Sequence, residues 1–200
     1  MRWFISLLII LGILGGSAYA INQRDKPVYV LDTRTAEYIR YLRPDIDPDV
    51  VEIIAQAIDF NCLVHGLDAE IVTALIARES SFLPWARSRA DCVGLMQINP
   101  RAHRDKCKGY SQAELYHIPV NVEIGCKILR EYMDKSKSVD EALGRYMGCQ
   151  GAVSYKRDIL ATAAELYAMR GSCYPQPSAT KKGAIMPPPF VTIPLEPFCG

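Results

Sequence analysis

One carboxylate sits in the last turn of an apolar helix, in the run Ala74-Leu75-Ile76-Ala77-Arg78-Glu79-Ser80-Ser81-Phe82, and the rest of the chain must be built around it. Asp68 supplies an N-cap and Glu70 falls in the first turn, where the helix dipole favours an acid. Ile71, Val72, Leu75 and Ile76 then recur at helical spacing, which predicts a buried helix. Glu79 follows Leu75 by four residues and Ile76 by three, so it shares their face. A carboxyl laid over apolar neighbours is poorly solvated, and desolvation disfavours its charged form. Such a group keeps its proton near neutral pH and can donate it. The competing reading is a frayed helix end with Glu79 in water, since buried Glu is rare.

Pro84 forbids continuation of that helix, and Gly94 permits an unusual backbone angle or a close approach, so residues 82–100 form a loop that returns past the helix end. Other helices announce themselves on either side. Thr35 to Leu42 reads as a helix stopped by Arg43-Pro44. Asp47-Pro48 is an N-cap followed by Pro at the first helical position, and the helix it opens runs to about His65 and ends at Gly66. His65 is read as a cation at that helix's C-terminus or a surface residue. Ser111 to Glu114 is a capping box that opens a short helix ending before Pro119, and a longer helix covers 120–133. Ser138 to Glu141 is a second capping box, and a last helix runs from about Val153 to Arg170. Strand signals are nearly absent from residue 49 onward; Pro27 to Leu31 is the one short strand expected earlier.

The ends differ from this core. Residues 1–20 read as a targeting segment, with Arg2, an apolar run from Phe4 to Leu14, and Ala18-Tyr19-Ala20 as a small-x-small cleavage site. The alternative is an uncleaved anchor through residues 3–21, close to the ~20 apolar residues of a membrane span. Residues 21–48 form an N-terminal extension, and 49–171 the helical domain. Residues 172–200, which hold seven prolines, form a Pro-rich tail of polyproline character. Both readings of residues 1–20 export the remainder, to the periplasm or the extracellular space, and the anchored reading adds membrane association.

All seven cysteines fall in the exported part, where disulfides are expected. Cys92 with Cys107, and Cys62 with Cys126, are candidate pairs, although connectivity does not follow from sequence and the odd count leaves one thiol over. No zinc-finger spacing of Cys and His is present. A formal net charge of +1 argues against bulk nucleic-acid binding.

The stretch from Glu79 resembles the SLT-type lytic transglycosylase domain, which shares its core fold with goose-type lysozyme. The family pattern E-S-x-F-x-P-x-A-x-S stands here as Glu79-Ser80-Ser81-Phe82-Leu83-Pro84-Trp85-Ala86-Arg87-Ser88. It is followed by Gly94-Leu95-Met96-Gln97-Ile98. Asn121 to Gly125 resembles the N-x-x-x-G helix. Ala142 to Tyr146, with Gly151-Ala152-Val153, resembles the third block. The resemblance covers roughly 49–170 and implies a mainly α, compact, lysozyme-like fold.

It also implies cleavage of the MurNAc–GlcNAc bond of peptidoglycan, with formation of a 1,6-anhydro ring and without metal or cofactor. By the same carry-over Glu79 is the sole acid/base, and Tyr146 sets its hydroxyl near Glu79 and orients it. Ser88, Met96 and Gln97 line the saccharide groove, and Asn121 reads as structural at the start of its helix. Met147-Gly148-Cys149 stand where the family has Asn-Ala-Gly, which removes one polar substrate contact. Asp91 stands where many members have a small residue, and is the candidate second carboxylate of a lysozyme-like hydrolase. A wall-binding or assembly protein without catalysis is the third reading. The Gly94 to Asn99 form resembles members that open the wall for secretion or conjugation machinery.

Overall fold

The computed structural model describes residues 34–148 and 153–171. Among these are seven α-helices and one 3₁₀ turn. They are α1 (Arg34–Leu42), α2 (Pro48–His65), α3 (Ala69–Ser80), the short α4 (Arg104–Cys107), the 3₁₀ turn (Glu114–Tyr116), α5 (Ile118–Asp134), α6 (Val139–Tyr146) and α7 (Val153–Gly171). The expected strand at 27–31, the targeting segment and the Pro-rich tail lie outside the described residues. No described helix is long and apolar enough to cross a membrane.

Helix α3 is the centre. Nine of its twelve residues are buried, so it has no solvent face. It packs against α7, α1 and α2, while α5 packs on α2 and α6. Asp47 caps α2 through Asp49 and Val50, and Gly66 ends it in the left-handed region. Asp68 caps α3 through the Ile71 N–H at 3.2 Å.

Two sequence readings shift. The capping box at Ser111 forms in full, with the Glu114 carboxylate on the Ser111 N–H at 2.7 Å and the Glu114 N–H on Ser111 Oγ at 3.3 Å. It opens only a 3₁₀ turn, because Pro119 claims the next helix for itself by standing in the first turn of α5. The one-turn helix α4 was not expected, since four residues carry no readable period.

The two candidate disulfides, Cys92 with Cys107 and Cys62 with Cys126, are not formed. Cys62, Cys92, Cys107 and Cys126 are all free thiols, and the other three cysteines lie outside the described residues. Cys62 and Cys126 do meet across α2 and α5, where the neighbouring thiol and burial push the Cys62 thiol up, and both are buried as small apolar groups.

The returning loop is held by one side chain. Asn121 in α5 is 0% exposed. Its Oδ1 accepts from the Met96 N–H at 2.8 Å, and its Nδ2 donates to the Val93 carbonyl at 3.0 Å and the Leu115 carbonyl at 2.7 Å. Gly94 explains itself here: its φ is +77°, and a Cβ would stand 2.1 Å from Asn121 Nδ2. Gly125, one turn on from Asn121, leaves room for Met96, whose Sδ would be 2.3 Å from a Cβ. Replacing Asn121 by Ala leaves the buried Met96 N–H and Leu115 carbonyl without partners, each costing about 1–3 kcal/mol, while the Val93 carbonyl keeps the Ile98 N–H at 3.0 Å. Urea unfolding of Asn121→Ala is therefore expected to show a loss of about 2 kcal/mol or more.

Candidate active site

The acid at the end of α3 is buried. Glu79 is 6% exposed, which decides between the two sequence readings in favour of the dry carboxyl. The helix stops beneath it by a left-handed turn: Ser81 and Phe82 have φ of 51° and 60°. Non-glycine residues seldom adopt that region, and two in succession need holding in place. The Ser81 N–H bonds the Ala77 carbonyl at 3.1 Å, and the Phe82 ring is wholly buried, worth about 2–3 kcal/mol of apolar burial.

The group that meets Glu79 is Tyr155 on α7, whose hydroxyl donates to Glu79 Oε1. Tyr146, expected in that place, donates instead to the Met96 carbonyl at 2.8 Å. Tyr146 stacks edge-on against Tyr132 and still lies close enough to Glu79 to feel its charge. Two tyrosines thus surround the acid, and the sequence reading named only one. Tyr155 lies two residues beyond the last matched block, on the buried stripe with Ile159, Ala163 and Leu166. A hydroxyl on an otherwise apolar helical face was its one visible signal.

Behind Tyr155 stands Arg78, its guanidinium 5.4 Å from the ring centre and 3.9 Å from Asp158. Burial pushes the Glu79 carboxyl up; the Tyr155 hydrogen bond and the Arg78 charge pull it back, leaving it at about 7. Burial drives the Tyr155 hydroxyl well above its ordinary value, helped by the Glu79 charge, so Tyr155 remains the donor.

The other expected site residues lie on the loop. Met96 is 0% exposed and packs over Gly125, so its side chain is core; its carbonyl is what faces Tyr146. Ser88 is partly exposed, and its Oγ accepts from the Cys92 N–H at 3.1 Å. Gln97, also partly exposed, donates Nε2 to the Gly94 carbonyl at 2.9 Å and the Ala86 carbonyl at 3.2 Å. Its Oε1 has no partner among the described residues.

Asp91 does not join the acid. Its carboxylate bonds Arg87 at 2.7 Å and approaches Arg101 at 3.5 Å. The Arg87 hydrogen bond holds it below the usual carboxylate value, which suits an ion pair and not a base. The other buried carboxylate among the described residues, Glu70, lies nine residues back on α3, about 13 Å along the axis at 1.5 Å per residue. It is held by Tyr38 at 3.2 Å and Arg170 at 3.5 Å. One surface cleft lies at Glu70 and another beside the returning loop at Arg87 and Asp91, and neither is lined by Glu79.

Helical domains with a buried acid closing their central helix form the lysozyme-like class, and the sequence match falls there. The family model described as Transglycosylase SLT domain matches residues 56–165, more than half of the chain and all of the site from Glu79 to Tyr155. The chain belongs to that family. No curated protein sequence matches it.

Holding a carboxyl at about 7 instead of 4.5 has a stability consequence. The folded state binds this proton more tightly than the unfolded state, so Glu79 weakens the fold as pH rises. The cost is absent below about 4.5, grows up to about 7 and is complete above, at roughly 3 kcal/mol. Glu79→Gln is therefore expected to unfold at higher urea than wild type at about pH 8, with the gap closing towards pH 4.5.

Proposed function

We propose that the protein is a peptidoglycan lytic transglycosylase that cleaves the MurNAc–GlcNAc bond with Glu79 as its sole acid/base. The observation that carries this reading is a dry carboxyl poised at about 7, with the nearer acids engaged elsewhere. Glycosidases that work with two carboxylates keep them ~5–5.5 Å apart when retaining and ~6.5–9.5 Å when inverting. Glu70 is too distant along α3, and Asp91 is neutralised by arginine. One group suffices when the sugar supplies its own nucleophile.

Protonated Glu79 gives its proton to the glycosidic oxygen as the C1–O bond breaks. The C6 hydroxyl of the same MurNAc attacks C1, and the Glu79 carboxylate takes the hydroxyl proton. The C1–O6 bond closes the 1,6-anhydro ring, no water is consumed, and the acid is restored. Tyr155 orients the carboxyl and stabilises its charged form between the two transfers. Tyr146 fixes the Met96 carbonyl and, with Ser88 and the Gln97 Oε1, offers polar contacts to N-acetyl and hydroxyl groups. Met96 enters this reading through its backbone.

The substrate places the protein outside the cytoplasmic membrane, in agreement with residues 1–20 as a leader and residues 3–21 as the anchored alternative. Service to a secretion or conjugation machine is part of the same proposal and rests on the Gly94 to Asn99 form.

Digestion of purified sacculi followed by mass spectrometry tests it. Anhydro-muropeptides, lighter by one water than hydrolysis products, are expected. Reducing ends would identify a hydrolase; walls that are bound and never cut would identify the non-catalytic reading. Glu79→Gln is expected to lose ~10²–10⁴ in rate, the usual share of a proton-transfer group.

Tyr155→Phe removes a hydrogen bond that lowers the Glu79 value, so its alkaline limb in kcat/KM should move to higher pH. Its rate should fall by roughly one to two orders of magnitude, as for loss of a hydrogen bond to a charged group. An unmoved alkaline limb would show that Tyr155 does not act through Glu79.

A further inference from the structure

Beside the site loop lies a cleft of about 470 Å³, within the range of ligand pockets. Three guanidinium groups line it, those of Arg87, Arg101 and Arg104, against one carboxylate, Asp91. Asp91 holds Arg87 and Arg101 around itself, which fixes their spacing. The Arg101 side chain nevertheless remains 80% exposed, and Arg104 has no ion pair among the described residues. Tyr110 and Gln112 add polar groups to the wall.

This imbalance is local. The chain as a whole carries +1, and many basic side chains elsewhere are tied to acids, as in Arg40–Glu52, Lys127–Glu123 and Lys156–Asp140. The second cleft, near Glu70, has three acids against two arginines. An uncharged sugar chain gives no use for three guanidiniums, whereas their planar forks match carboxylates.

The position of the cleft names the source of those carboxylates. Arg87 immediately precedes Ser88, and the turn they share is closed by the Ser88 N–H on the Cys92 carbonyl at 3.0 Å and the Gly94 N–H on the Ala86 carbonyl at 2.8 Å. Cys92, next to Asp91, lies close enough to Glu79 for its thiol to feel that carboxylate. The cationic wall therefore adjoins the loop that reaches the acid. In peptidoglycan the lactyl group of MurNAc carries a short peptide bearing free carboxylates, so this peptide leaves the glycan at the sugar whose C1 reacts.

We propose that the cleft between Arg87, Arg101 and Arg104 binds the carboxylates of the stem peptide, so that the protein engages peptide-bearing glycan strands. The assignment deepens the function proposed above and rests on it.

The test uses the full chain with Glu79→Gln, which leaves the wall uncut, and compares it with the same protein also carrying Arg101→Glu and Arg104→Glu. Each is sedimented with native sacculi and with sacculi whose free carboxylates have been amidated. On native sacculi the charge reversal should weaken binding roughly tenfold or more, the effect of losing one hydrogen-bonded charge contact, and most strongly at low salt. On amidated sacculi the two proteins should bind alike. A free stem tetrapeptide should compete for the Glu79→Gln protein on native sacculi.

Equal binding of both proteins to native sacculi would overturn the proposal, as would indifference of the Glu79→Gln protein to amidation. Loss on amidation without competition by the tetrapeptide would assign the carboxylate to bare lactyl groups and overturn the peptide assignment. Arg101→Gln with Arg104→Gln, checked for an unchanged thermal midpoint, keeps the comparison valid where the reversal disturbs folding. These are binding readouts, so they stand apart from the anhydro-product test, whose failure alone would sink the catalytic reading.

Discussion

A carboxyl withdrawn from water is costly, and the architecture follows from the need to keep Glu79 in that condition. Helix α3 has no solvent face, so its last turn is already dry. Helix α7 then lays Tyr155 over the acid, and Arg78 and Asp158 brace the ring from behind. Each element pulls the proton affinity in a known direction. Burial is the largest effect and raises it; one hydroxyl and one guanidinium lower it. The balance falls near neutrality, where a single group can give a proton and take one back.

The loop after α3 is governed by a different economy of contacts. It has almost no regular structure, only isolated bridges from Arg87 to Val93 and from Val93 to Ile98. Order comes from buried apolar side chains and from the Asn121 amide, which satisfies three backbone groups at once. Gly94 and Gly125 are the steric counterparts of this arrangement, one clearing the amide and the other clearing Met96. A rigid inner edge leaves Ser88, Gln97 and the arginines on the outer edge, where the proposed function assigns them recognition. Charge is partitioned too: ion pairs such as Lys127–Glu123 and Lys156–Asp140 elsewhere, a cationic excess in the cleft beside this loop.

Much of this was legible in the chain. The caps at Asp47, Asp68 and Ser138 and the apolar spacing of α2, α3, α5 and α7 gave the helices, since capping and period are local properties. Glu79 was legible because its offsets from Leu75 and Ile76 place it on their face. The spacing from Glu79 to Ser88 and from Gly94 to Ile98 gave the family. Local pattern could not say that Pro119 would shorten its neighbour to a 3₁₀ turn, nor that Cys62 and Cys126 would meet as thiols.

That the domain is helical, and that an acid closes an apolar helix, can be read along the chain, because both depend on neighbours within one turn. Which tyrosine meets that acid emerges with the packing of the helices. Tyr146 and Tyr155 both carry hydroxyls on helices that follow the loop, and the choice depends on how α6 and α7 dock against α3 and α5. Packing of the returning loop on α5 likewise sent Met96 into the core over Gly125. Partners across tens of residues are set by packing, which a period along one helix does not encode.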